Sequence, residues 1–219
     1  MLVVYDYNKS KEITDRLNAQ GYLAVLSLAT PEQFANEVAH MYRNGYKNVR
    51  FVGGNETPFI VSREELYPYD KFMKEDYVTN PALSQAMIAL FQETRKTSKV
   101  EAGAPEEAFT RMLKKREEEF VTALKNAEFM VPCVKTENGE EIEISFQYLD
   151  VTDNGEKVIA IPVFTDGFEM NKCYPGKTED MLCTFDELVA TVVELGASGI
   201  IINALGISHY MSVKTLEEL

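Results

Sequence analysis

Toward the C-terminal end of the chain the spacing of apolar positions changes from helical to continuous. In TFDELVATVVELGASGIIINALGISHYMSVKTLEEL, from Thr184 to Leu219, Leu188, Val192 and Leu195 share one helical face, with Phe185 extending it. Thr184 followed three residues later by Glu187 forms a capping-box pattern, and Gly196 stands where a left-handed residue ends a helix. Ile200, Ile201 and Ile202 are then consecutive, the mark of a strand covered on both faces. A looser version of this plan runs from Thr30 to Leu66. There Thr30, Pro31 and Gln33 open a helix, and Phe34, Val38, Met41 and Tyr42 give its apolar face. Gly45 stops it, and Val49, Phe51 and Ile60 continue as strands around Gly53-Gly54. Aligning Gly45 with Gly196 sets Val49 against Ile200, and a two-residue insertion then joins the Glu-Glu-Leu ends at Leu66 and Leu219. The pattern predicts one folding unit present twice.

The rest of the chain divides around these stretches. LVVYDY (2–7) predicts a short strand, Lys11 to Gln20 a helix with Ile13 and Leu17 inward and Gly21 as its stop, and Tyr22 to Leu28 an apolar strand. Asn80-Pro81 opens a helix through about Lys96, with Leu83, Met87, Ile88 and Phe91 on one side. TSKVEAGAPEE is polar and small, a linker, and a second helix runs from near Pro105 to about Ala127. Its apolar side is Phe109, Met112, Leu113, Phe120 and Leu124, and the charges from Lys114 to Glu119 read as a solvated face. In FMVPCVK, Pro132 argues for a sheet edge or a strand start. Ile142, Ile144, Phe146 and Tyr148 alternate with polar residues, predicting a half-buried antiparallel strand, and Asp153-Asn154-Gly155 is a hairpin turn into KVIAIPVF. Thr165 to Cys183 is the least regular stretch. The fold class is therefore α+β, two small related domains, each a mixed or antiparallel sheet with helices packed on it, joined by a helical linker. The expected boundaries are 1–78, 79–116 for the linker region, and 117–219.

Charge changes the picture more than composition does. The net charge is −13 over 219 residues, but residues 129–219 carry 5 basic against 16 acidic side chains, while 79–128 are balanced. Phosphate neutralisation needs Lys and Arg, so nucleic acid is not the expected partner, and the same field repels anionic membranes. The N-terminus lacks a basic leader with a long apolar run, no stretch is long enough to span a bilayer, and the three cysteines show no paired short spacing. A cytoplasmic, reduced protein is the expectation.

An amphipathic helix, FMVPCV, a hairpin, VIAIPVFTD and an acidic helix ending ELGASGIIIN, with an EEL-type ending, together resemble the SseB N-terminal domain over roughly Glu117 to Leu219. Ile161 to Thr165 and Leu195 to Asn203 are the most specific pieces. LAVLSLATPEQF with NGYKNVRFVGG resembles a divergent second copy, so that 1–78 would be a divergent SseB-like domain. The resemblance implies a compact α+β domain found alone or in tandem in bacteria, in a family named for enhanced serine sensitivity. It supplies no catalytic residue set. The aromatic-rich segment common after the VFTS-like piece is replaced here by GFEMNKCYPGKT.

Candidate chemistry is sparse. Cys133 lies in an apolar strand and reads as an inert buried thiol, Cys183 as a packed one, and Cys173 is the one plausible reactive cysteine. Cys173, Cys183 and His209 match no zinc spacing. Asp166 and Glu169 fit a capping or solvated role better than acid–base work. Gly53-Gly54-Asn55-Glu56-Thr57 lacks the Lys-Ser/Thr and the helix of a phosphate loop. The expected function is non-catalytic, through protein–protein contact, with no cofactor and no metal. The sheet edges and the surface carrying Asp166, Glu169, Lys172, Cys173, Glu179 and Asp180 are its expected contact sites. A homodimer would follow from an exposed apolar face on a helix beside the linker. The alternative is a small-molecule sensor or enzyme using a cleft between the two domains, linked by the family name to serine or sulfur metabolism.

Overall fold

Asp6 decides where the first helix begins. In the computed structural model, which describes residues 2–21, 24, 27–53, 57–68, 78–97, 106–138, 141–176 and 178–219, its side chain accepts a hydrogen bond from Lys9 N at 2.9 Å. The cap ends strand β1 (Leu2–Val4) and starts α1 (Tyr7–Ala19), a turn earlier than apolar periodicity predicts. Gly21 follows at φ 89°. Then come α2 (Pro31–Arg43), β2 (Asn48–Val52), β3 (Phe59–Ser62) and α3 (Arg63–Leu66). Most of the strand expected over Tyr22–Leu28 falls on positions 22, 23, 25 and 26, outside the described residues, as do positions 54–56 of the glycine loop.

The chain is α+β and divides into two units, Met1–Glu75 with Ser84–Phe120 and Asp76–Leu83 with Val121–Leu219. In the first, β1 pairs parallel with β2, and β2 antiparallel with β3. A parallel pair needs a crossover, and the chain from α1 through α2 supplies it. The α2 helix buries Val38, Met41 and Tyr42. Phe51 stacks on Phe59 at 4.9 Å, the Tyr42 hydroxyl donates to Tyr67 O at 2.6 Å, and the Arg63 guanidinium lies 4.0 Å over the Tyr42 ring.

Helices α4 (Pro81–Thr97) and α5 (Glu106–Lys125) follow, with residues 98–105 between them outside the described residues. Phe120 and Leu124 are buried but Met112 is exposed, so the expected apolar stripe of α5 does not enter a core along its whole length. The charged block pairs with itself, Arg116 to Glu119 at 2.6 Å and Lys115 to Glu119 at 3.8 Å.

The second unit contains β4 (Glu128–Asn138), β5 (Glu141–Phe146), β6 (Leu149–Asp153), β7 (Glu156–Val163), α6 (Gly167–Cys173), β8 (Asp180–Thr184), α7 (Phe185–Glu194), β9 (Gly199–Ile202), β10 (His209–Ser212) and α8 (Val213–Glu217). One sheet runs β10-β9-β7-β6 and another β5-β4-β8. A single bridge, Met130 with Phe164, connects β4 to the end of β7. The Asn154-Gly155 turn has both residues at positive φ, 48° and 87°, and joins β6 to β7 as expected. All four residues of β9 are buried, in keeping with a strand flanked on both edges and covered on both faces.

Several expectations are corrected. Pro132 does not mark an edge or a start: it lies inside β4, the middle strand, and closes the pairing with β8, while Cys133 opens the pairing with β5. A residue without N–H is tolerated where the ladder changes partner. The segment from Thr165 to Cys183 holds α6 and most of β8, with 174–176 and 178–179 between them in neither helix nor strand. The alternating strand is cut at Gln147, so β5 and β6 belong to different sheets. Its apolar face is not half-buried, since Ile142 is 64% and Ile144 39% exposed.

Apart from β8, which lies between the two helices in the second, the two units share an order of elements: strand, Asp-capped helix, Thr-capped helix with a capping box, an antiparallel strand pair, Ser-capped helix. Strand register aligns Leu2 with Pro162, Val49 with Ile200 and Ser62 with Ser212. Leu66 then matches the buried Leu216, not Leu219, because the β9–β10 loop is one residue shorter than the β2–β3 loop. The serine caps, not the Glu-Glu-Leu ends, are the equivalent points.

Gly199 is the tightest spot in the second unit. A Cβ there would lie 2.1 Å from the Met211 carbonyl oxygen. Gly199→Ala is therefore expected to destabilise by roughly 1–3 kcal/mol or more, by forcing β9 and β10 apart. Thr30→Ala and Thr184→Ala, each losing a capping box, should cost about 1 kcal/mol each. Chemical denaturation of the three variants checks both statements.

Candidate functional site

Two parallel strands that end side by side bring the polar residues after them together. β7 and β9 are such a pair, Val163 opposite Ile202. Beyond them the Asn203 side chain accepts from Thr165 N at 3.0 Å and donates to the Thr165 hydroxyl at 2.9 Å, while its backbone N donates to Val163 O. Asn203 sits at φ 49°, a left-handed conformation that asparagine tolerates better than most side chains. From before α4, Asn80 Nδ2 donates to both Thr165 O and Glu128 O, at 2.8 and 2.7 Å, and Asn80 Oδ1 accepts from Glu128 N. Asn80 immediately precedes α4, as expected of the Asn-Pro opening, and its side chain also ties the start of β4 to the end of β7.

The predicted surface residues meet this junction unevenly. Asp166 is not on the surface: it is 2% exposed and caps α6 by accepting from Glu169 N at 3.0 Å. The capping role expected for it stands, and the contact role does not, because its carboxylate is spent inside the fold. Glu169 is half-buried, pairs with Lys172 Nζ at 2.7 Å, and fills the space that a side chain at Gly206 would need. Lys172 lies 4.9 Å over the Phe168 ring. Glu179 and Asp180 stand apart from this group, at the start of β8. Glu179 Oε2 accepts from Lys135 N and the Asp180 carbonyl from Lys135 Nζ. The six residues thus fall into two places, with four around α6 and two against β4.

Thiol chemistry is disfavoured. Burial pushes the Cys173 thiol up; a hydrogen bond from the Leu205 backbone opposes this, the nearby Glu169 charge adds to it and Lys172 pulls down, with a net rise. Cys133 is also raised, chiefly by burial, and Cys183 is pushed up to about 11 by burial with Glu187 adding to it. His209 is held down by burial. Among the described residues no group of three His, Cys, Asp or Glu side chains could hold a metal ion, and no described helix is long and apolar enough to cross a membrane.

Apolar side chains are exposed on two end strands, Phe59 and Ile60 on β3 and Ile142 and Ile144 on β5. β5 is the end strand of β5-β4-β8, and its register with β4 puts Ile144 beside Lys135 and Ile142 beside Glu137. Phe146 beside Cys133 continues the same face into the core. The alternating apolar pattern was visible in the sequence; the exposure was not, because alternation reads as burial on one side.

Residues 106–211, nearly half of the chain, match the model of the SseB protein N-terminal domain. No curated protein and no solved structure matches the chain.

Asn203→Ala should destabilise by roughly 2–4 kcal/mol, since it strands the buried Thr165 N–H and puts alanine at positive φ. Asn203→Gly should recover about 1 kcal/mol of that loss by removing the backbone strain alone. A separate expectation concerns alkaline pH. The Cys183 thiol ionises near 9 when unfolded and near 11 when folded, so the unfolded state releases its proton first and stability falls as pH rises between those values. The contribution lost is on the order of 2 kcal/mol. Comparing the wild type with Cys183→Ala by denaturation at pH 8 and pH 10.5 isolates it, and the variant should lack this slope.

Proposed function

We propose that the protein, as the carrier of an SseB N-terminal domain, acts through protein–protein contacts rather than by catalysis. The observation that carries this reading is the exposed apolar face of β5, with Ile142 and Ile144 on the outermost strand of a sheet. A monomer gains nothing from leaving such a face open, and exposed strand edges are ordinary templates for association. The polar groups most suited to chemistry support the same reading, since Asn203, Thr165 and Asn80 are engaged with one another and Asp166 accepts from Glu169 N. The recurrence of strand order, pairing sense and cap residues supports taking residues 2–66 as a divergent copy of the part from β7 to α8, in a protein with a duplicated frame. The acidic C-terminal part favours a basic partner in a cytoplasmic setting, and argues against nucleic acid and anionic membrane as targets.

Native mass spectrometry of protein freshly purified from its own host tests this reading. A chain that carries a second polypeptide is the expected result. A small-molecule adduct with no polypeptide would overturn the reading in favour of a sensor or enzyme. Ile144→Asp should remove the bound polypeptide while changing stability by less than about 0.5 kcal/mol, because an exposed position away from the core contributes little to folding.

A further inference from the structure

We infer that β5 binds an extended segment of a basic partner protein, which adds a strand to the outer edge of β5-β4-β8 and alternates apolar with Lys or Arg side chains. The inference rests on the interaction reading above and names its partner chemistry. Three features of β5 select this occupant. The strand lies at the end of its sheet, so backbone groups on its outer side face away from β4. Its six residues, Glu141–Phe146, contain no proline and no lysine, the residues that commonly block such an edge. A strand of six residues is about 20 Å long, enough to pair a short peptide along its length.

Side-chain alternation then specifies the visitor. Ile142 and Ile144 lie on the face that continues to Cys133 and Phe146, so alternate apolar residues of an added strand would extend the core outward beside them. On the opposite face the exposed Glu143 and Ser145 stand beside Thr136 and Val134. The sequence from Glu137 to Glu143 holds four glutamates and no basic residue, within a C-terminal part carrying 16 acidic and 5 basic side chains. A cationic side chain at every second position of the visitor answers that charge. The same acidity tells against a second copy of this chain as the occupant, since antiparallel self-pairing of β5 would bring its glutamates together.

The test uses the full chain and blocked nine-residue peptides labelled for fluorescence anisotropy. One alternates valine with lysine, one alternates valine with glutamate, and one is the lysine peptide N-methylated at alternate residues so that it cannot donate to the edge. The lysine peptide should bind at least tenfold more tightly than either control, weaken several-fold between 50 and 500 mM salt, and lose at least tenfold on Ile142→Asp/Ile144→Asp. Sedimentation of the same variant checks that it stays folded, and the N-methylated peptide tests strand pairing with the protein unaltered. Equal binding of all three peptides, or none, would overturn the proposal. So would a concentration-dependent dimer of the wild type that Ile142→Asp/Ile144→Asp abolishes, because the edge would then belong to a second copy. If the host protein still carries a polypeptide while the peptides do not bind, the basic-strand proposal fails and the interaction reading stands on another surface. A small-molecule adduct alone fails both.

Discussion

The parallel pairing of β7 with β9 is the constraint on which the second unit depends. Neighbouring parallel strands cannot be joined by a turn, so the chain must leave the sheet, build α6, β8 and α7, and return. That return leaves the ends of both strands side by side, with backbone groups that no ladder can satisfy. Asn203 and Thr165 satisfy them by bonding to each other, and Asn80 closes the junction from a distant part of the chain. The polar residues there are consequently a structural lock. Their pairing meets the cost that unpaired amides would carry there.

Much of this was legible in the sequence, and for definite reasons. Capping boxes at Thr30 and Thr184 are local, involving a hydroxyl and a side chain three residues on, and both form as predicted. Gly21, Gly45 and Gly196 all take the positive φ that a helix stop requires. The Asn154-Gly155 turn is equally local. The failures share the opposite property. Nothing near Pro132 in sequence says that β4 changes partner there, because that depends on β8, some fifty residues later. Nothing near Asn80 in sequence announces its further partners at 128 and 165. The alternation in β5 specifies which side chains share a face but not whether anything covers them.

Comparing the two units separates frame from elaboration. The frame is a strand, a crossover and an antiparallel strand pair closed by a short capped helix, and both units have it. The lock is not shared: strand register places Val52 where Asn203 stands and Tyr5 where Thr165 stands. In the first unit the Tyr5 backbone N donates to Val52 O, and the Tyr5 ring lies against Gly53, so an aromatic side chain takes the place of the amide–hydroxyl pair. Positions matched by strand register therefore carry different interactions in the two units.

The handover at Pro132 gives β4 two mechanical lives. Before it the strand is clamped between β8 and the end of β7; after it, β5 is the only strand it pairs with. Pro132 gives no amide to either ladder, while its carbonyl accepts from Gln147 N and the next amide, Cys133 N, donates to Glu179 O. The outer half of β4 is thus held by β5 as a strand and by the bonds of Cys133 and Lys135 to residues 179 and 180, whereas the core half keeps β8 as its full partner.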